Sequence, residues 1–210
     1  MSLQPNESVL AANLDYFGSL PCFQRYYQRS NLYHAAHFMS QCKDLRATSN
    51  SFFNETIKSP STIAHAVALF HQDVHTTHPD TVASDRIIGT SINRDDPAFL
   101  LFVHVGSGLN GFSGMVHGGV LASLIDESLS ICVEKYRAIL SKERHALFTG
   151  NLNISYHVPV QSPGVVYIRT WLRRREGRKW FLDAELLNKD EQMCVSAKSL
   201  WISEKKVTKL

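Results

Sequence analysis

Residues 118–140 read GGVLASLIDESLSICVEKYRAIL, and the spacing of their apolar side chains decides the architecture. Val120, Leu121, Leu124, Ile125, Leu129, Cys132, Val133 and Tyr136 recur at i, i+3, i+4 and i+7, the repeat of one long helix with a broad buried face. A helix this apolar needs a large cover, and the flanking sequence supplies strands. Upstream, Phe99–Val105 (FLLFVHV) is a strongly apolar strand candidate, joined to the helix by the Gly-rich stretch Gly106–Gly114. Downstream, Leu152, Ile154, Tyr156 and Val158 alternate with Asn153, Ser155 and His157, and Pro159 and Pro163-Gly164 mark the turn that follows. Val165–Arg173, Lys179–Leu187 and Met193–Ile202 complete the set. Arg175-Glu176-Gly177-Arg178 reads as a hairpin tip, and Asn188–Glu191 as a second turn. The expected class is α+β, a long central helix wrapped by a curved antiparallel sheet.

That domain is expected over residues 85–203, preceded by a partly helical extension at 1–84 and followed by a tail at 204–210. Leu10, Leu14 and Phe17 fall at helical spacing and predict a short helix. Ser59 as N-cap, Pro60 as first helical residue, and Ile63, Ala64, Val67, Ala68 and Phe70 after them predict a second helix near 60–72, buttressing the sheet. The turn-prone stretch His75–Asp80 follows it.

Composition narrows the function. With 210 residues, 44% of them hydrophobic and 20% charged, the chain can bury a sizeable core without staples. A formal charge of +3, with scattered lysines and arginines, argues against a nucleic-acid partner but suits a small anionic substrate. Cys22, Cys42, Cys132 and Cys194 form no Cys-x-x-Cys pair, so reduced thiols are expected rather than a disulfide scaffold or zinc site. His71, His75 and His78 have near-helical spacing without an intervening Glu, and no metal is expected. No apolar run reaches the roughly 20 residues of a transmembrane helix, and no secretory leader is apparent. The expectation is a soluble intracellular protein, cytoplasmic on these signals, with an organelle as the alternative. Gly106–Gly114 lacks the Gly-Lys of a phosphate-binding loop, and there is no Gly-x-Ser-x-Gly elbow of a serine hydrolase.

One segment carries chemistry. Gly114-Met115-Val116-His117-Gly118-Gly119-Val120-Leu121-Ala122-Ser123-Leu124-Ile125-Asp126 resembles the His-Gly-Gly segment of the phenylacetyl-CoA-thioesterase-like branch of the hotdog-fold acyl-CoA thioesterases, with an acidic residue nine positions after the His. Phe148-Thr149-Gly150-Asn151-Leu152-Asn153-Ile154-Ser155-Tyr156-His157-Val158-Pro159 is similar to the threonine-bearing strand of that branch. The likeness is strongest to the mitochondrial thioesterase-superfamily members and their fungal relatives, whose hairpin Glu176-Gly177-Arg178-Lys179 also resembles. It covers about residues 85–203. It implies a hotdog fold, hydrolysis of an acyl-CoA thioester, no metal or redox cofactor (CoA being part of the substrate), and a homo-oligomer, either a dimer or a dimer of dimers. It also makes a mitochondrial location possible.

The residues suggest roles of their own. A thioester carbonyl becomes an oxyanion when attacked and needs donors aimed at the developing charge. The first N–H groups of a helix have no internal partner, and the helix dipole favours negative charge there. Gly118 N–H is therefore the expected oxyanion donor, with Gly119 packing the turn or adding a second N–H and His117 orienting the loop or the thioester. Asp126 lies eight residues beyond Gly118, about 12 Å along the same helix. One carboxylate cannot serve a carbonyl held by its own chain's Gly118, so a second copy with an antiparallel helix is expected to complete the site. Asp126 flanks the apolar face, where partial desolvation raises its pKa and makes it a better base. Direct attack and activation of water are both open to it. Adjacent Glu127 points about 100° away around the helix. Thr149 is expected on the polar side of its strand with Asn151 and Asn153, and the resemblance has its hydroxyl hold the water or the carboxylate. Asn110, one residue out of register with a family asparagine, is a lesser substrate-binding candidate. Arg178 and Lys179, beside Arg173, Arg174 and Arg175, would bind CoA phosphates or form a solvated face. The competing functions are a non-catalytic acyl-CoA-binding module or scaffold and a hydratase-type hotdog enzyme.

Overall fold

In the computed structural model, which describes residues 5–38, 51–72, 86–88, 95–140 and 146–205, the alternating segments join one eight-stranded sheet. The strands are β1 (Tyr33–His37), β2 (Ala66–His71), β3 (Arg86–Ile88), β4 (Phe99–Val105), β5 (Asn110–Phe112), β6 (Met115–Val116), β7 (Leu147–Tyr156), β8 (Gly164–Glu176), β9 (Lys179–Asn188) and β10 (Met193–Ser203). Their order in the sheet is β1-β2-β4-β8-β9-β10-β7, with β3 also pairing β8, while β5 and β6 form a separate ribbon. The strand pairings among the described residues are all antiparallel. The helices are α1 (Pro5–Phe17), α2 (Pro21–Tyr27) and α3 (Gly118–Leu140). Gly177 takes φ +54° at the β8–β9 tip, as a tight hairpin requires.

The long helix packs on the sheet as its periodicity demands. Leu121, Leu124, Ile125, Leu129, Cys132 and Val133 are all buried, against Leu101, Val103, Ile168, Leu182, Ala184 and Val195 among others. Ser128 is fully buried on the same helix, and its hydroxyl donates to Leu124 O at 2.7 Å, so no orphan polar group remains there. This is the expected hotdog arrangement of one long helix on an antiparallel sheet.

The opposite face of the sheet is covered as well. Phe17, Cys22, Phe23 and Tyr26 of α1 and α2 close over Val67, Leu69, Leu100, Phe102 and Tyr167 in a second apolar cluster. Two covers explain why FLLFVHV is apolar without alternation: Leu101 and Val103 face α3, while Leu100 and Phe102 face α1 and α2. The expected short helix around Leu10–Phe17 is α1. α2, started by Pro21, had not been anticipated.

The helix expected near 60–72 is not formed. Ser59–Thr62 makes a turn, in which Thr62 N–H bonds Ser59 O at 3.1 Å and Ser59 N–H bonds Thr62 Oγ1 at 2.9 Å. Ala66–His71 is strand β2, with Ala68 and Phe70 in one core and Val67 and Leu69 in the other. A strand buried on both faces loses its alternation, and a short apolar run then mimics a buried helix. The extension at 1–84 thus supplies both covering helices and adds β1 and β2 to the sheet beside β4. The turn expected at His75–Asp80 and the tail beyond residue 205 lie outside the described residues. Among the described residues, no helix is long and apolar enough to cross a membrane.

Phe102 sits at the centre of the second cluster, 5.0 Å from the Phe23 ring, 5.1 Å from Tyr167 and 6.1 Å from Phe17, centroid to centroid. Phe102→Ala is expected to destabilise the fold by about 3–5 kcal/mol, read from urea unfolding. An unchanged midpoint would mean that α1 and α2 do not pack on the sheet in solution.

Candidate active site

His117 is locked before α3 begins. Its N–H donates to Leu109 O at 2.8 Å, and the preceding Val116 N–H donates to Val160 O at 2.9 Å. Its carbonyl receives Val120 N–H at 3.0 Å and Leu121 N–H at 3.3 Å, and its ring Nδ1 receives Gly119 N–H at 2.9 Å. An imidazole thereby does the work of an N-cap side chain. A Cβ on Gly119 would lie 3.0 Å from that Nδ1, so glycine is what lets the ring fold back. The accepting Nδ1 carries no proton, which leaves any ring proton on Nε2.

With Gly119 N–H occupied, it is Gly118 N–H that has no hydrogen-bond partner among the described residues. The His117 carbonyl points into the helix, and a trans peptide directs the Gly118 N–H the other way, out from the helix start. Beside it opens a cavity of about 480 Å³, lined by Gly118, His117, Gly111, Phe112, Met115, Leu121, Tyr156 and Val158, among others. Its walls are mostly apolar. Tyr156 donates its hydroxyl to Gly118 O at 2.9 Å. The sequence shows Tyr156 only as one apolar position of an alternating strand, and a contact to a carbonyl 38 residues away leaves no local signal.

Asp126 is half-buried on α3, and its Oδ1 accepts the Thr149 hydroxyl at 3.1 Å. Burial pushes its pKa above the ordinary carboxylate value, and the Thr149 hydrogen bond pulls the other way. Thr149 therefore faces α3 rather than sharing a side with Asn151 and Asn153, as alternation had suggested. The cause is a β-bulge. Leu200 pairs with Asn151 and Trp201 with Thr149, which leaves Gly150 as the extra residue and reverses the phase of the strand. A Cβ on Gly150 would lie 2.9 Å from Ile202 Cδ1, so the bulge sits closely on the neighbouring strand.

These two contacts, Tyr156 to Gly118 and Thr149 to Asp126, lay α3 antiparallel to β7. Within one chain they separate the N–H from the carboxylate by about 12 Å of helix. Asn110 in β5 is tied up locally, its side-chain oxygen accepting the Ser162 hydroxyl. Arg178 donates to Ser203 O at 2.8 Å, and Lys179 pairs across to Ile202, which pairs with Phe148. Both thus lie at the Thr149 end of the sheet, away from Gly118. Arg173 is bound to Asp183 at 2.8 Å and Arg174 to Glu176 at 3.0 Å. His71 is buried edge-on against Tyr33, with ring centroids 5.0 Å apart. His75 and His78 fall outside the described residues, among which no cluster of three or more metal-ligating side chains occurs.

Thr149→Val keeps the shape and removes the donor. The Asp126 titration is expected to move to higher pH in the variant, followed by carboxyl carbon NMR. A downward move or none would show that the hydroxyl does not stabilise the ionised carboxylate.

Residues 113–195 match the thioesterase superfamily. The chain is 34% identical over 104 residues to acyl-coenzyme A thioesterase THEM4 of Bos taurus, covering 50% of this chain and 40% of that protein. It is 33% identical over 104 residues to the uncharacterized mitochondrial membrane protein FMP10 of Saccharomyces cerevisiae, covering 48% and 41%. The chain thus spans about two fifths of the length of these curated relatives. Among solved structures it is similar to the thioesterase superfamily protein RHA08564, with a TM-score of 0.47 and 23% identity over 66% of this chain and 54% of that one.

Proposed function

We propose that this protein hydrolyses an acyl-CoA thioester to the free acid and CoA, a reading supported by the match of residues 113–195 to the thioesterase superfamily. One observation carries the proposal: the helix whose first residue lines a mostly apolar cavity also bears a half-buried carboxylate gripped by a threonine hydroxyl. The identity to acyl-coenzyme A thioesterase THEM4 supports the choice of substrate. Gly118 N–H stabilises the oxyanion, aided by the helix dipole. Gly119 N–H supports the His117 cap instead of the substrate. On one route Asp126 takes a proton from water, the resulting hydroxide adds to the carbonyl, the C–S bond breaks as the oxyanion collapses, and that proton passes to the departing CoA thiolate. On the other Asp126 adds to the carbonyl itself, the C–S bond breaks to release the CoA thiolate and leave a mixed anhydride, and water then splits the anhydride, freeing the acid, restoring the carboxylate and supplying the thiolate's proton. A mitochondrial address, supported by the likeness to the yeast mitochondrial membrane protein FMP10, is checked by organelle fractionation.

The 12 Å between the two groups requires a second copy. β7 is the last strand of the sheet, with β10 on one side. Two β7 strands paired antiparallel about a two-fold axis bring the Gly118 end of one protomer beside the Asp126 end of the other. Arg178 and Lys179, at the Asp126 end, would take CoA phosphates in that arrangement.

Asp126→Asn is expected to lower kcat by about 10²-fold or more, measured by thiol release across short, long and aromatic acyl-CoAs. Acyl-CoA bound tightly but never turned over by the wild type would make the chain a binding module instead. Co-expression tests the shared site. Gly118→Pro removes the N–H at a helix position that tolerates proline. Mixed with Asp126→Asn it should restore roughly a quarter of wild-type activity, one intact site in each mixed dimer; a site within one chain would restore none.

Acidity sets a further expectation. Both routes need ionised Asp126, so kcat/KM should rise with pH through a midpoint above the ordinary aspartate value of about 3.9. The raised pKa means that the folded state favours the protonated form, so the stability it contributes below the unfolded pKa is lost as pH rises through the folded value. Asp126→Asn should therefore melt no lower than wild type at neutral pH. A clearly lower melting temperature would contradict the desolvation described above.

A further inference from the structure

We infer that Tyr156 is a positioning residue for the proposed thioester hydrolysis, acting through Gly118 to hold the oxyanion amide and presenting its ring to the acyl group in the cavity. The inference rests on the proposed reaction and adds a residue to it. The first turn of α3 starts with two glycines, the residues whose backbone is least restrained. His117 holds Gly119 through its ring, but nothing on Gly118 itself can anchor the turn. Tyr156 supplies that anchor from outside the helix, with its hydroxyl 2.9 Å from Gly118 O.

Its own position is well determined. Tyr156 ends β7 opposite Val195, and the next two N–H groups, of His157 and Val158, both reach Cys194 O, at 2.8 and 3.2 Å. The strand thereby fixes the helix start. The ring lies against Gly118, with Cε1 3.5 Å and Cζ 3.6 Å from where a Cβ would stand. Tyr156 and Phe112 both line the cavity that Gly118 and His117 also line. Two aromatic rings beside a helix-start N–H that has no partner among the described residues suit an acyl chain whose carbonyl is held at that N–H.

Tyr156→Phe keeps the ring and deletes the donor; Tyr156→Ala deletes both. With thiol release from a panel of acyl-CoAs, Tyr156→Phe should lower kcat about three- to tenfold, with KM within about twofold and the melting temperature unchanged. Tyr156→Ala should lower kcat as well and raise KM, most for the substrates with the largest acyl groups. A Tyr156→Phe enzyme with wild-type kcat overturns the positioning role. Equal KM for Tyr156→Ala and wild type across the panel overturns the acyl contact. In both cases an active wild type and an inactive Asp126→Asn leave the reaction itself standing. A wild type inactive toward every acyl-CoA overturns the reaction and this inference together.

Discussion

Leu121, Leu124, Ile125, Leu129 and Val133 leave water together when α3 settles on the sheet. At about 1.5–3 kcal/mol for each fully buried side chain, their burial is of the same order as the whole net stability of a domain. The helix can neither lift nor slide without forfeiting the fold, and this immobility suits the proposed chemistry. An N–H at one end of a fixed rod and a carboxylate two turns along it are held to positions that loop residues could not maintain. Asp126 is desolvated because it rides at the margin of the same buried face.

Around that rod, the polar contacts divide the labour. His117 closes the helix start through Gly119, Tyr156 grips it through Gly118, and Thr149 holds Asp126 further along. Each partner comes from the loop before the helix or from a single strand, β7. The sheet register thus reaches the site through two side chains, and the bulge at Gly150 is what permits both to face the helix despite their opposite parity in sequence.

Legibility in the sequence followed the number of faces each element buries. α3 shows its single apolar stripe plainly, and the segments that became β7 to β10 were visible as strands bounded by turn residues. β2 was misread as helical because α1, α2 and α3 together cover both of its faces, which erases alternation. The side of Thr149 was misread because strict period-two counting passes straight through Gly150, although a glycine inside a strand is itself a bulge signal. Asp126 and Gly118 could be picked out by offset and by resemblance. Tyr156 could not, since a hydrogen bond to a carbonyl 38 residues away leaves no local pattern.

The layer formed by α1 and α2 also bears on where this molecule can be cut. The superfamily match begins at residue 113, after β4 has already crossed the middle of the sheet. Trimmed to that match, the polypeptide would lose the strand between β2 and β8 and lay bare the greasy underside now sheltered by Phe17 and Phe23. The evolutionary signature and the smallest piece able to stand by itself in water are different lengths of the same chain.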